Sequence, residues 1–210
     1  MVLHVLRRNL LRIPLLVNRN YCSVAKMPSA LLLVAEGSEE MEAVISIDVM
    51  RRGGIDVTVA GVTGTDPVKC SRGVVVVPDK SLDEATKDTY DMVVLPGGLG
   101  GANTFSQSNK VKEVLQAQEA SGKWIAAICA APIALVSHGI CKGKTMTSHP
   151  SVKDKMLPGC TYSEERVVKD GKLLTSRGPG TAFEFALDIV QELMGKEKRD
   201  VIVPPMLVKA

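Results

Sequence analysis

A nine-residue segment near the middle of the chain, Trp124-Ile-Ala-Ala-Ile128-Cys129-Ala130-Ala131-Pro132, contains the signals on which the fold prediction is built. It opens with a continuous apolar run, which is typical of a strand buried on both faces of a parallel sheet. Pro132 suits the first turn of a helix because its fixed φ angle is already helical. The segment therefore predicts a buried strand, a tight turn that carries Cys129, and a helix.

Short apolar runs alternate with helical patterns along the rest of the chain. The expected strands are Ala30–Ala35, Val57–Ala60, Val74–Val77, Asp91–Leu95, Trp124–Ile128 and Thr145–Ser148, followed by a hairpin that pairs Val167-Val168 with Leu173-Leu174. The expected helices run from a cap at Ser38 to Arg52, over 81–87, from Val111 to Ala120, from Pro132, and from Pro179 to Met194, where Gly195 ends the last one. This order predicts a single α/β domain over residues 30–198, with a doubly wound, mainly parallel sheet and helices on both faces.

Composition excludes several classes of protein. Apolar residues make up 45% of the 210 residues and charged residues 23%, which is ordinary globular composition. Five cysteines without CxxC spacing indicate a reducing compartment and no zinc site, and no spacing implies a metal or an organic cofactor. Aromatic residues amount to only 3%, and no apolar run is long enough for a membrane span.

The basic excess belongs to the first residues. The net charge is +3, but the first 30 residues hold five bases and no acid, so the remainder has 21 bases against 23 acids. A mildly acidic body has no electrostatic surface for nucleic acid.

Residues 1–29 mix apolar residues with arginines, which predicts a mitochondrial presequence. A disordered extension, or initiation at Met27 with cytoplasmic and nuclear pools, is the alternative. At the other end, the apolar tail 199–210 is expected to dock on the core or on a second subunit.

Cys129 is the first candidate for chemistry. Ligands of doubly wound sheets bind beyond the carboxyl ends of the strands, where this residue falls. A cysteine on a strand-to-helix turn resembles a nucleophile elbow, and a helix amino terminus lowers a thiol pKa. The alternative is a buried structural cysteine, the commoner fate of this residue type.

Glu42 is the second candidate. It lies at helical spacing from Ile45 and Val49, so its carboxyl group borders the apolar stripe of the first helix. A half-buried carboxyl group has a raised pKa and can keep its proton, which it can donate to a thiolate. A solvated acid on the flank of the helix is the alternative.

Two further features lie at predicted strand ends. The glycine-rich segment Pro96–Gly101 is neither a dinucleotide fingerprint nor a P-loop. The backbone amide of Gly98 in this segment could serve as an oxyanion donor. An ordinary turn is the alternative. His149 could lie across the crevice from Cys129 and act as a base, although a surface histidine before a proline is equally consistent with the sequence.

These segments closely resemble the parkinsonism-associated deglycase branch of the ThiJ/PfpI superfamily. The matching stretches are Ala35-Glu-Gly-Ser-Glu-Glu-Met-Glu42, Asp48-Val-Met-Arg-Arg52, Val57-Thr-Val-Ala-Gly61, Cys70-Ser-Arg72, Val94-Leu-Pro-Gly-Gly98, Ala126-Ala-Ile-Cys-Ala130, His149-Pro150, Lys153-Asp-Lys-Met156 and Ser176-Arg-Gly-Pro-Gly-Thr181. The resemblance implies a flavodoxin-like homodimer built around one oxidisable cysteine. Cys129 matches the nucleophile, Glu42 the protonated acid, Gly98 and Ala130 the oxyanion donors, and His149 the family histidine.

The resemblance also implies an activity. Members of the superfamily are described as cysteine-dependent deglycases and glyoxalases that act on methylglyoxal and glyoxal adducts of proteins and nucleotides, which are the partners expected here. The alternative is a non-enzymatic redox sensor and chaperone that responds through oxidation of Cys129. Peptidase activity is not expected, because Ala130 follows the cysteine where the protease-like branch has a histidine.

Overall fold

The computed structural model describes residues 26–208. Most of the predicted leader, residues 1–25, lies outside this range. The strands are β1 Ser29–Val34, β2 Asp56–Gly61, β3 Val68–Lys69, β4 Val75–Val76, β5 Lys80–Ser81, β6 Met92–Leu95, β7 Trp124–Ile128, β8 Thr145–Met146, β9 Thr161–Tyr162, β10 Val167–Asp170 and β11 Leu173–Ser176. The helices are α1 Glu40–Arg52, α2 Leu82–Ala85, α3 Leu99–Gln107, α4 Asn109–Ala120, α5 Pro132–His138, α6 Lys153–Met156, α7 Ala182–Met194 and α8 Lys196–Ile202. Single 3-10 turns cover Pro150–Val152, Pro179–Thr181 and Pro204–Met206.

A seven-stranded sheet forms the centre of the molecule, in the order β10-β11-β7-β6-β1-β2-β5. Its neighbouring strands pair in parallel except for β10, which is antiparallel to β11 at one edge. Helices cover both faces, so the predicted doubly wound, flavodoxin-like α/β fold in a single domain is confirmed. The predicted hairpin between Val167 and Leu174 is the β10–β11 pair.

Both faces of the central strands are buried, as their uninterrupted apolar sequences predict. In β1, Leu31 and Leu33 join a core with Phe105 of α3, whereas Leu32 joins a second core with Phe185 of α7. Since alternate residues of a strand point to opposite faces, each residue of this run contributes to one core or the other. The carboxyl ends of β1, β6 and β7 consequently meet at one edge of the sheet, where the candidate site lies.

Two assignments near the glycine-rich and valine-rich segments were wrong. The valines at 74–77 do not form a strand of the main sheet; β4 pairs only with β3 in a small hairpin, and β5 takes the place beside β2. Segment 96–101 is not simply a loop, because α3 begins at Leu99. The sequence did not predict this helix because glycine has low helix propensity. Gly100 and Gly101 nonetheless lie in its first turn.

The carboxyl-terminal segment packs against the body of the domain. Gly195 ends α7 as predicted, but α8 begins directly after it. Ile202 is buried in the core of the α7 face, and Val203 and Met206 pack against that core, whereas Leu207 is 90% exposed. Among residues 26–208, no helix is long and apolar enough to cross a membrane.

Candidate active site

Cys129 lies on the turn between β7 and α5, with a left-handed φ angle of 64°. A residue with a side chain rarely adopts this conformation, which is held here by hydrogen bonds on both sides of the cysteine. Its N–H donates to the carbonyl of Ser176 at 2.9 Å, and its own carbonyl accepts from the N–H of His149 at 2.8 Å. The main chain at Cys129 is therefore fixed by the ends of β11 and β8, and the predicted elbow geometry is present.

Glu42 is completely buried in the first turn of α1. The cap of this helix is Glu39 rather than Ser38, and the Glu39 carboxylate accepts from the N–H of Glu42 at 2.8 Å. Oε2 of Glu42 accepts from the N–H of Gly97 at 2.7 Å, while Oε1 has no hydrogen-bond partner within bonding geometry among residues 26–208. Burial raises the pKa of Glu42 to about 7, although the bonds from Gly97 and the Cys129 thiol partly oppose this rise.

The glycine-rich segment lets these groups approach one another. A Cβ atom at Gly97 would lie 2.6 Å from the Cβ of Cys129 and 2.7 Å from Oε2 of Glu42, so no larger residue fits without displacement. Gly98 has a left-handed φ angle of 79°, which favours glycine. Hydrogen bonds from the backbone amides of Gly98 and Ala130 favour the Cys129 thiolate. The structure thus brings Cys129, Glu42, Gly98 and Ala130 together.

The electrostatics of Cys129 differ from the expectation of an acidic thiol. Burial, the charge of ionised Glu42 and the hydrogen bond to its carboxylate raise the pKa of Cys129 to about 12, against the smaller opposing effect of the Gly98 and Ala130 amides. The amides at this turn act in the expected direction, but burial and Glu42 outweigh them, so the net shift of the pKa is upward. Two of the three causes depend on ionised Glu42, so a proton on Glu42 relieves them and leaves the thiolate with the two amides.

His149 is near the elbow through its backbone rather than its ring. Its N–H bonds the carbonyl of Cys129, but its ring Nδ1 contacts Oγ of Ser151 at 2.7 Å. Among the described residues, no hydrogen bond joins the ring to the Cys129 thiol. The remaining described cysteines, Cys70, Cys141 and Cys160, are separate from this site, and burial raises the pKa of each thiol.

Sequence reasoning missed the residues that hold the turn between β1 and α1. Glu40 is buried, and its carboxylate accepts from Ser71 Oγ at 2.9 Å and from the N–H of Arg72 at 2.8 Å. Gly37 donates to the carbonyl of Lys69, which ties the same turn to β3. An acid in the first turn of a helix is explained by the helix dipole alone, so no signal in the sequence separated Glu40 from a surface residue. In the described part of the chain, no cluster of three or more His, Cys, Asp or Glu residues could hold a metal ion.

Fold and site together define a class: a flavodoxin-like, single-domain α/β protein with a cysteine elbow beside a buried glutamate. The chain belongs to the DJ-1/PfpI family, whose model matches residues 28–192. The Parkinson disease protein 7 homolog of Danio rerio is 57% identical over 183 residues, which cover 86% of this chain and 97% of that protein. The glutathione-independent glyoxalase DJR-1.2 of Caenorhabditis elegans is 42% identical over 183 residues, 87% of this chain and 97% of that protein. A crystal structure of Drosophila melanogaster DJ-1beta superposes with a TM-score of 0.86 at 52% identity, covering 88% of this chain and 100% of the other.

Proposed function

We propose that this protein is a cysteine-dependent enzyme of the glyoxalase and deglycase type, acting on methylglyoxal, glyoxal and their early adducts with proteins and nucleotides. The observation that carries the proposal is the pairing of Cys129 on a left-handed elbow with fully buried Glu42, whose pKa of about 7 allows it to give and take protons at neutral pH. The name of the glyoxalase relative from Caenorhabditis elegans supports the same class of reaction.

The proposed reaction begins with transfer of the Cys129 thiol proton to Glu42. The thiolate adds to the aldehyde carbon of methylglyoxal and forms a C–S bond, and the resulting alkoxide, stabilised by the amides of Gly98 and Ala130, takes the proton back from Glu42. Glu42 then removes the proton from this carbon and returns it to the neighbouring carbon, while the hydroxyl proton of the first carbon passes to the oxygen of the second, which yields a lactate thioester. Water hydrolyses the thioester, and lactate and the Cys129 thiol are released. The net reaction adds one water and needs no external oxidant or reductant.

Lactate release from methylglyoxal, and from a methylglyoxal-modified peptide, tests the proposal. Cys129→Ala is expected to abolish release, and Glu42→Gln to slow it, because glutamine cannot carry the proton. Cys160→Ala is the matched control, since this partly exposed thiol lies outside the site. Full lactate release by Cys129→Ser would contradict the mechanism, because a serine hydroxyl is a much weaker nucleophile than a thiolate.

A redox sensor is the second candidate, and the unpartnered Oε1 of Glu42 favours it. A protonated Glu42 can donate to an oxygen of a sulfinate formed on Cys129 by peroxide, with the Gly98 and Ala130 amides close to the same sulfur. Mass spectrometry after peroxide treatment tests this function. Two added oxygen atoms on the Cys129 peptide would support it if they are lost in favour of sulfonate in Glu42→Ala, which removes the donor. An unmodified Cys129 would contradict it.

We also propose that the protein is a homodimer. Met41 and Val44 on the outer side of α1 are 51% and 48% exposed, and Val74, Val75 and Val77 beside the small hairpin are 49%, 57% and 66% exposed. Glu40 joins these two elements, so the exposed apolar residues lie on neighbouring parts of the surface. Val75→Asp is expected to shift the sedimentation coefficient from dimer to monomer, whereas Val201→Asp on α8 leaves it unchanged.

The proposed localisation rests on the leader alone. Residues 1–29 are proposed to direct import into mitochondria, with cytoplasmic and nuclear pools when initiation occurs at Met27. A fluorescent reporter fused to residues 1–29 is expected to colocalise with mitochondria, and replacing Arg7, Arg8 and Arg12 by glutamine is expected to prevent this. A diffuse cytosolic signal from the intact leader would contradict the proposal.

A further inference from the structure

Among residues 26–208, the imidazole of His149 is held by hydrogen bonds to one residue, Ser151. Nδ1 of the ring lies 2.7 Å from Oγ of Ser151 and 3.2 Å from the backbone nitrogen of Ser151. The side chain of His149 therefore caps the 3-10 turn Pro150–Val152, in the way that asparagine and aspartate cap helices. Pro150 is the first residue of that turn and has no N–H, so the N–H of Ser151 is the first that the cap can satisfy.

These contacts determine which ring nitrogen carries the proton. A backbone N–H can only donate, so Nδ1 must offer its lone pair to Ser151, and the neutral ring then has its hydrogen on Nε2. The opposite ring orientation would place carbon Cδ2 where Nδ1 now meets a hydroxyl oxygen, at a distance shorter than a van der Waals contact allows. The Ser151 hydroxyl can share the same lone pair.

The other edge of the ring lies beside Gly178, in the segment that follows β11. Atom Cδ2, which is bonded to Nε2, lies 3.5 Å from the position that a Cβ atom of Gly178 would take. Gly178 is two residues beyond Ser176, whose carbonyl accepts from the N–H of Cys129. The backbone N–H of His149 bonds the carbonyl of Cys129, so the backbone that carries the ring is anchored to the same turn as the nucleophile.

We propose that Ser151 is a positioning residue that fixes the Nε2–H tautomer of His149, so that His149 donates a hydrogen bond to a carbonyl or hydroxyl oxygen of the substrate at Cys129 and does not act as the base. The donor role rests on the proposed enzymatic function, whereas the tautomer does not. In the proposed mechanism, this leaves Glu42 as the group that moves protons, with His149 as a third donor beside the amides of Gly98 and Ala130.

Nitrogen-15 NMR of the histidine rings tests the tautomer without any substrate. The spectrum of His149→Gln identifies the His149 signals, and the wild type is expected to show the Nε2–H pattern at a pH where the ring is neutral. Ser151→Ala keeps the backbone N–H and should keep the pattern. Ser151→Pro removes both contacts and should give a mixture of tautomers; a 3-10 turn opening with two prolines is tolerated elsewhere in this chain, at Pro204–Met206. A wild-type Nδ1–H pattern would overturn the proposal.

Two substitutions of His149 distinguish a hydrogen-bond donor from a general base at this position. The amide nitrogen of glutamine reaches the place of Nε2 and can donate but cannot accept a proton, whereas asparagine reaches only the place of Nδ1. We expect His149→Gln to retain kcat/KM within roughly threefold of the wild type and His149→Asn to lower it about tenfold, the effect of one lost hydrogen bond. Equal losses in the two variants would overturn the donor role. Absence of lactate release from the wild type would refute the proposed function instead, and the NMR result would then decide the tautomer alone.

Discussion

The two ionisable groups of the crevice, Glu42 and Cys129, compete for one proton. Ionised Glu42 opposes ionisation of Cys129, so the position of the proton decides whether the thiol is a nucleophile. Because the raised pKa of Glu42 lies near neutrality, small changes of pH alter the fraction of Glu42 that is ionised. The same property links the site to the stability of the whole fold, since a group whose pKa differs between folded and unfolded states makes stability depend on pH.

Glu42 should make the folded protein less stable as pH rises. Its pKa is about 7 in the folded state, against 4.5 for an ordinary glutamate, so the folded state binds its proton more tightly than the unfolded state. Its contribution is complete below pH 4.5 and is lost as pH rises through 7, by up to about 3 kcal/mol. Urea unfolding at about pH 5 and pH 8 should show this loss in the wild type and not in Glu42→Gln. Exposed Glu113→Gln on α4 is the control, and an unchanged pH dependence in Glu42→Gln would contradict the assignment.

Gly97 should be intolerant of a side chain. The added Cβ of Gly97→Ala would meet both Cys129 and Glu42, and we expect a loss of about 1–3 kcal/mol in the free energy of unfolding together with slower alkylation of Cys129. Gly180→Ala is the matched control because nothing lies within 4 Å of its Cβ position. Equal behaviour of the two variants in urea unfolding and iodoacetamide labelling would refute this close packing.

Among the elements, the small β3–β4 hairpin is attached to the start of α1 more firmly than its short strands suggest. Two residues of paired strand on each side cannot form a stable hairpin alone. The Glu40 carboxylate supplies what the hairpin lacks: burial opposes its ionisation, but hydrogen bonds from its own backbone, Ser71, Arg72 and Val74 outweigh this and lower its pKa. The hairpin is therefore attached to α1 through Glu40, and Glu42 lies two residues further along that helix.

Removing the Glu40 carboxylate should release the hairpin. In Glu40→Ala, the amides of Arg72 and Val74 lose their acceptor, and hydrogen bonds to charged groups contribute about 1.5–3 kcal/mol each. Hydrogen–deuterium exchange is expected to become faster over residues 70–76 while the strands of the main sheet keep their protection. Exposed Glu113→Ala serves as the control, and unchanged exchange over 70–76 would show that other contacts hold the hairpin.

In the molecule as a whole, the sheet divides the apolar interior into two separate cores. Phe105 of α3 is completely buried on one face and Phe185 of α7 on the other. The two rings belong to different clusters of buried side chains, so they should contribute to stability independently. This separation explains why a chain with few aromatic residues can still fold around a wide sheet, since each strand buries aliphatic side chains on both sides.

The effects of substitutions in the two cores should add. Phe105→Leu and Phe185→Leu are each expected to lower the free energy of unfolding by about 1–2 kcal/mol, and the double variant by their sum within about 0.5 kcal/mol. Phe105→Leu combined with Leu115→Ala, which lies in the same core, is the comparison in which coupling is expected. Urea unfolding of the wild type and these variants measures the additivity, and strong coupling across the sheet would contradict two independent cores.

Local sequence was sufficient to predict those features that depend on neighbouring residues. The apolar run before Cys129, the Pro132 helix start and the alternation of strands with helices specified the sheet and the elbow, because periodicity and backbone sterics act over a few residues. The helix at Leu99 was missed because its glycines satisfy close contacts with Gly37 and Ser38, which are distant in sequence.

The tertiary structure alone decided the chemistry of the site. The burial of Glu42, the raised pKa of Cys129 and the contact of the His149 ring with Ser151 arise where the ends of β1, β6 and β7 meet the segment that follows β8. Desolvation and Coulomb interactions depend on distances between groups that are far apart along the chain, so the helix-terminus argument for Cys129 could not include the larger opposing effects of burial and Glu42. Residue patterns therefore determined where the crevice forms, and packing around it determined how its protons are held.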